Sequence, residues 1–165
     1  MNICYLLIGG NEGDRERRLT EARTRISTGA GAIRKTSFLY ETAPWGNPDQ
    51  SWFLNQALQL GTEHDARTLM SVLLGIEKSM GRTRLEKNGP RPIDIDILFF
   101  NDAVLREPGL IVPHPEIPNR RFVLEPLDEI APSYIHPVLG LSVHQLLGAC
   151  TDPLEVKRLD SKSHA

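Results

Sequence analysis

Proline placement constrains this chain more than any other feature. Of its 12 prolines, none precedes Pro44, none falls between Pro48 and Pro90, and seven lie from Pro108 to Pro137. Each proline fixes φ and removes a backbone donor, so long helices and central strands belong in the first hundred residues. The later third is left to loops and short helices. In the first part, Ile3 to Ile8 is a continuous apolar run that stops at Gly9-Gly10-Asn11, as a buried strand does. Asp14 is placed to cap a helix whose Leu19, Ala22 and Ile26 recur at helical spacing, with Gly29 and Gly31 closing it. The run Arg15-Glu16-Arg17-Arg18 is its solvated face. Ile33 to Tyr40 and Phe53 to Leu60 read as strands, joined by a long loop rich in turn residues from Thr42 to Gln50. Asp65 opens a second helix with Leu69, Val72, Leu73, Ile76 and Met80 along one stripe and Gly81 just past its end. A strand from Pro92 to Phe100 completes β-α-β-β-α-β.

That order predicts an α+β fold of the ferredoxin-like kind, an antiparallel sheet with two helices on one face and the other face open to ligands. A Pro-rich C-terminal extension of short helices and loops follows it. One domain over residues 1–160 suits the length of 165 residues, with 161–165 a frayed tail. A net charge of -2 argues against a general nucleic-acid or anionic-membrane binder, so any basic patch is local. No apolar stretch approaches the roughly 18 residues of a membrane helix. Cys4 and Cys150 are too few for a disulfide framework, which points to a reducing, cytoplasmic compartment.

The sharpest chemical signal is Ile93-Asp94-Ile95-Asp96-Ile97. Strand alternation places Ile93, Ile95, Ile97 and Phe99 on one face and both carboxylates on the other, their Cα atoms roughly 7 Å apart. A polar outer face of an edge strand is the plain explanation, but Leu98 and Phe100 would then share that wet face. Mg²⁺ removes the repulsion between two such carboxylates and takes its remaining ligands from substrate phosphates. The segment Gly81 to Arg91, with Arg82, Arg84 and Arg91, leads into this strand and has the composition of a cationic lid over an anionic ligand. Arg120 and Arg121 add two guanidiniums. Glu77 lies on the apolar stripe of the second helix near the start of the lid, and His114 is held between Pro113 and Pro115, placed to donate to a phosphate. Phe53 and Asn55 alternate onto one face of their strand, and Phe122 follows the later arginines; two rings and an amide suit a flat heteroaromatic ligand. Two other classes share the element order: a palm-type nucleotidyl transferase or cyclase, which needs no such reader, and an RNA-recognition module, which wants basic and aromatic residues on an open sheet.

The stretch Gly89-Pro90-Arg91-Pro92-Ile93-Asp94-Ile95-Asp96-Ile97-Leu98 resembles the signature of the 6-hydroxymethyl-7,8-dihydropterin pyrophosphokinases of the folate pathway. Ile8-Gly9-Gly10-Asn11, Tyr40 to Gly46, Phe53-Leu54-Asn55, Ile76-Glu77 with Gly81 to Arg84, Val112 to Pro115 and Asn119 to Leu124 match in family order, from about residue 3 to residue 147. The resemblance implies transfer of pyrophosphate from ATP to the hydroxymethyl group of the dihydropterin, releasing AMP. It implies that Asp94 and Asp96 bind two Mg²⁺ ions, that Arg82 and Arg91 are catalytic lid arginines, and that Glu77, Arg84, Ile97, His114 and Arg120 join them around ATP. Phe53 and Phe122 would stack the pterin, and Asn55 with the backbone of Thr42, Ala43 and Trp45 would read its edge. A monomer with no nucleic-acid or membrane partner is the expected state. The lid has Leu85 and Asn88, and Leu74 and Gly109 stand where some relatives carry polar or basic residues, so adenine recognition is expected to use more backbone groups. No general base stands out beyond Asp96, and a metal-bound hydroxyl needs none.

Overall fold

The computed structural model describes residues 1–44, 49, 51–82 and 92–159. Strand β1 (Asn2–Gly10) is central. It pairs antiparallel with β4 (Phe53–Thr62) on one side and β5 (Asp94–Phe100) on the other. Strands β2 (Ala32–Thr36) and β3 (Tyr40–Thr42) both pair antiparallel with β4, and β8 (Val156–Arg158) pairs with β3, giving the order β5-β1-β4-β3-β8. The two long helices are α1 (Arg15–Gly29) and α2 (Ala66–Ser79). Both N-caps are those expected: Asp14 accepts from the Arg17 amide at 3.2 Å and Asp65 from the Thr68 amide at 2.8 Å. Gly81 follows α2 at φ +95°, a conformation that glycine adopts without a Cβ penalty. Their apolar stripes bury Leu19, Ile26, Leu69 and Leu73 against Leu6, Ile8, Leu58, Leu60, Ile95 and Ile97 of the sheet. Each such side chain contributes about 1.5–3 kcal/mol by leaving water.

Three expectations change. The strand foreseen from Ile33 to Tyr40 is two, because Ser37 breaks the ladder: its hydroxyl accepts from the Ala57 amide at 3.0 Å, and the next amide, Phe38, turns to the Glu129 carboxylate. The pairings Thr36 with Leu58 and Tyr40 with Asn55 therefore enclose one extra residue. Phe99 does not share a face with Ile97. The register of β5 shifts between Ile97, opposite Leu6, and Phe99, opposite Tyr5, so Leu98 bulges and Phe99 crosses to the aspartate face. Nor is that second face open along its length. Helices α3 (Arg121–Ile130) and α4 (Val143–Ala149) cover part of it, with Val123, Leu124, Leu127, Val143 and Leu146 packed on Tyr5, Leu7, Ala57, Leu98 and Phe99. A small hairpin, β6 (Leu105–Glu107) and β7 (Leu110–Val112), and a short 3-10 turn (Ile117–Asn119) connect β5 to α3. The tail 161–165 lies outside the described residues.

Candidate active site

Where α3 stops covering the second face, the strand ends of β1, β3, β4 and β5 remain. Antiparallel register lines up Asp94 with Gly9, Gly9 with Asn55 and Asn55 with Tyr40, one row across four strands. Partners opposite each other point to the same face, so the aspartates and Asn55 look the same way. Gly9 lies between them, and its lack of a side chain is used: a Cβ there would come within 2.0 Å of Asn55 Oδ1. The buried Asn55 amide thus lies across Gly9, and its Nδ2 donates to Thr42 Oγ1 at 3.0 Å. Phe53, opposite Thr42 in register, is half-buried beside them. Phe122, in the first turn of α3, packs partly buried against the second core on the same face.

Of the lid foreseen from Gly81 to Arg91, only Gly81 and Arg82 lie within the described residues. Arg82 is docked, with 9% of its side chain exposed. Its Nη1 reaches Asp94 Oδ1 at 3.2 Å and donates to the Ile93 carbonyl at 3.2 Å. Glu77 is buried to 2%, deeper than its place on the stripe suggested, because it serves the sheet edge: it accepts from the Ile95 amide at 2.6 Å. Its other oxygen sits 3.6 Å from Arg82 Nε, and its backbone carbonyl accepts from the Arg82 amide at 3.0 Å. Glu77 therefore positions Arg82 and the aspartate strand together.

His114 donates its backbone N–H to the Leu98 carbonyl at 3.0 Å, which seats it at the bulge of β5. Its Nδ1 accepts from the Glu116 amide at 3.1 Å, so the neutral ring carries its proton on Nε2. Burial holds His114 below the ordinary histidine value, opposed by the carboxylates of Asp94 and Glu116 and aided by the guanidinium of Arg120. At neutral pH it is an uncharged Nε2–H donor. Arg120 stands at the start of α3, tied to Glu116 at 3.3 Å.

Several expected contacts move. The Ala43 amide donates to the Glu155 carbonyl at 3.1 Å and is not available to read a ligand edge. Ile97 points into the core beneath α1 and α2, leaving only its backbone for a nucleotide. Arg121 turns its guanidinium to the Cys150 and Asp152 carbonyls, away from the phosphate role. Trp45, Arg84 and Arg91 lie outside the described residues. Arg15, read from the sequence as part of a solvated face, is half-buried and bonds the Trp52 carbonyl at 3.0 Å and Glu41 at 2.7 Å, and Asn11, given no part in the site beyond a strand-end match, donates to the Ser51 carbonyl at 2.9 Å. Both anchor the approach to Phe53. A helix-start arginine after the glycine-asparagine strand end was the only available signal. An RNA-recognition module presents an open sheet, whereas this face is roofed at one end and acidic at the other.

Residues 5–132 match the family model of 7,8-dihydro-6-hydroxymethylpterin-pyrophosphokinase, HPPK. The chain belongs to this family. A 2-amino-4-hydroxy-6-hydroxymethyldihydropteridine pyrophosphokinase of Methylorubrum extorquens is 38% identical over 97% of this chain and 100% of its own length. Its namesake from Bacillus subtilis is 43% identical over 78% of each. The chain spans only 22% of the folic acid synthesis protein FOL1 of Dictyostelium discoideum, at 37% identity. Among solved structures, a Plasmodium falciparum HPPK-DHPS chain superimposes with a TM-score of 0.73 at 22% identity, over 90% of this chain and 44% of that one. That likeness supports the α+β fold.

Proposed function

We propose that the row from Asp94 across Gly9 to Asn55 is the place where this family's reaction occurs, with the phosphates over the aspartates and the pterin over Asn55. The reaction follows from family membership: the chain is an ATP-dependent diphosphokinase of folate biosynthesis, moving pyrophosphate from ATP to the hydroxymethyl group of 6-hydroxymethyl-7,8-dihydropterin and releasing AMP. The observation that carries the placement is the register itself. Asp94 and Asn55 are two strands apart, about 10 Å at the usual strand spacing, a separation that suits a phosphate group and a hydroxymethyl carbon between them.

The donor set on the acidic side is two half-exposed carboxylates, and among the described residues no group of three or more His, Cys, Asp or Glu is placed to cage a metal. Such a set suits Mg²⁺, which accepts one or two carboxylates and completes its shell with phosphate oxygens and water. Two Mg²⁺ ions held by Asp94 and Asp96 would offset the charge of the triphosphate. The chain's own residues do the rest. His114 donates from Nε2 and Arg120 adds a charged donor, both suited to phosphate oxygens. Arg82, on the Asp94 side, is placed to meet charge that develops on the transferred group. Asn55, oriented by Thr42, presents a buried amide to a pterin edge, and Phe53 and Phe122 supply flat apolar walls. Holding the hydroxyl in line with the β-phosphorus is then largely a matter of orientation. Ile97 backbone, Glu77, Arg84 and Arg91 complete the nucleotide side in this reading, as Ala43 carbonyl and Trp45 do the pterin side.

We further read the frame as ferredoxin-like with a Pro-rich C-terminal extension, supported by the sheet order β5-β1-β4-β3, and as one domain over residues 1–160. A cytoplasmic monomer is the expected state, and the free thiols of Cys4 and Cys150 are in keeping with a reducing compartment. Among the described residues no helix is long and apolar enough to cross a membrane. The deciding measurement incubates the protein with ATP, Mg²⁺ and the reduced pterin and resolves AMP from ADP. AMP should form with the parent and vanish in Asp94→Ala and Asp96→Ala while both variants keep the parent's circular dichroism. Near-normal AMP release from both would remove the carboxylates from the site.

A further inference from the structure

The chain continues beyond the residues that match the family model, which end at 132, and its last described segment returns to the site. Asp152 is buried to 8%, unusual for a carboxylate. Its Oδ2 accepts from the Arg121 amide at 3.0 Å and its Oδ1 from the Leu154 amide at 3.0 Å. Helix α3 has Arg120 at its N-cap position and no cap of its own from that side chain. Asp152 therefore caps α3 from 31 residues downstream, placing negative charge where free amides and the helix dipole favour it. Arg121 returns two further bonds, from Nη2 to the Cys150 carbonyl at 3.0 Å and from Nε to the Asp152 carbonyl at 3.3 Å. Three residues later the same segment joins the other side of the site. The Glu155 carbonyl accepts from Ala43, β8 pairs with β3 from Tyr40 to Thr42, and Lys157 Nζ lies 6.0 Å from the Trp52 ring centroid.

We propose that residues 150–159 form a strap that sets the distance between the two walls of the pterin pocket, with Asp152 and Arg121 as positioning residues for Phe122. One wall is the first turn of α3, which carries Phe122; the other is β3 with the start of β4, which carries Thr42, Phe53 and Asn55. The strap is bonded to both, and neither Asp152 nor Arg121 needs to touch a ligand. Arg120 has a separate tie to Glu116, so the nucleotide side is less dependent on the strap. The inference rests on the reading of Phe122 as a pterin wall.

Steady-state kinetics with each substrate varied in turn, together with thermal melts, test it in the full-length protein. Asp152→Ala and Arg121→Ala should each raise the pterin KM by about tenfold while kcat and the ATP KM stay within about twofold. Asp152→Asn keeps an acceptor for the Arg121 amide and should stay within about threefold of the parent. Arg121→Ala leaves the cap itself in place, so it decides the matter if Asp152→Ala does not fold. Phe122→Ala is the control for the underlying reading. If it raises the pterin KM while Asp152→Ala and Arg121→Ala lower only the melting temperature, the strap is merely structural and the inference falls alone. If Phe122→Ala leaves the pterin KM unchanged, the wall assignment and the strap's role fall together.

Discussion

Gly9 decides how far Asn55 can lean. Any side chain there meets Asn55 Oδ1 at 2.0 Å and the Leu54 carbonyl at 3.1 Å, and the amide it would displace is buried and bonded to Thr42. Gly9→Ala should therefore destabilise the protein by about 1–3 kcal/mol, the range for an overpacked interior. It should also weaken pterin binding by about 1–3 kcal/mol, as losing a buried polar partner does, with ATP binding little changed. Calorimetry with each ligand alone reads the second effect. Repeating the substitution in an Asn55→Ala background checks the cause, because the stability loss should shrink once the obstructing amide is gone; an unchanged loss would place the clash at the Leu54 backbone. The aspartates and Asn55 were legible in the sequence because strand alternation alone puts them on a face. Gly9 was legible only as a strand end: its role depends on register with β4, and one sequence carries no register. The same holds for Ala43, whose amide is taken by a carbonyl more than a hundred residues away.

Among the elements, α2 and β5 act as one unit through Glu77. Its carboxylate holds the Ile95 amide and faces the buried Arg82 guanidinium, so removing it leaves the amide without this acceptor and takes one acid partner from Arg82, which keeps Asp94. Glu77→Ala should cost about 3–5 kcal/mol in urea unfolding, as breaking one side of a buried pair does, and Glu77→Gln clearly less because its amide oxygen still accepts from Ile95. Equal losses would mean that charge, not the hydrogen bond, is what Glu77 supplies. The boundaries of α1 and α2 were readable from Asp14 and Asp65 because capping is local chemistry. The break at Ser37 and the bulge at Leu98 were not, since each needs a partner distant in sequence: Ala57 and Glu129 for one, Tyr5 for the other. Helices α3 and α4 were foreseen only as short helices. Their stripes do not say which sheet face they will roof.

Across the whole molecule, two histidines link stability to pH, buried His136 and half-buried His114. Burial lowers the pKa of both His114 and His136 from the ordinary 6.5, and each uses Nδ1 as an acceptor, His136 from the Val138 and Leu139 amides. The unfolded chain then binds protons near pH 6 that the folded chain refuses. Stability rises with pH in that window. It should be complete above about pH 6.5 and decline as the pH falls from there through the folded-state values, losing at most about 1.4 kcal/mol per unit for each group. Urea midpoints between pH 7.5 and pH 5, about the span over which histidine titrates, check this. His136→Gln, remote from the phosphate side, should flatten part of the slope without changing the pterin KM. A slope untouched by that substitution would assign the pH dependence elsewhere.

The position of β5 has a consequence for how this protein behaves in crowded solution. It is an outer strand of the sheet, and outer strands offer amides to which a second chain can add. Here the Ile95 amide is occupied by a carboxylate from the protein's own helix, with the Arg82 guanidinium beside it. The same pair that positions Asp94 in the proposed site therefore guards an edge: an incoming strand would have to displace a buried anion and meet a buried cation. Colloidal stability and the readiness of the proposed site are, at this one amide, the same hydrogen bond.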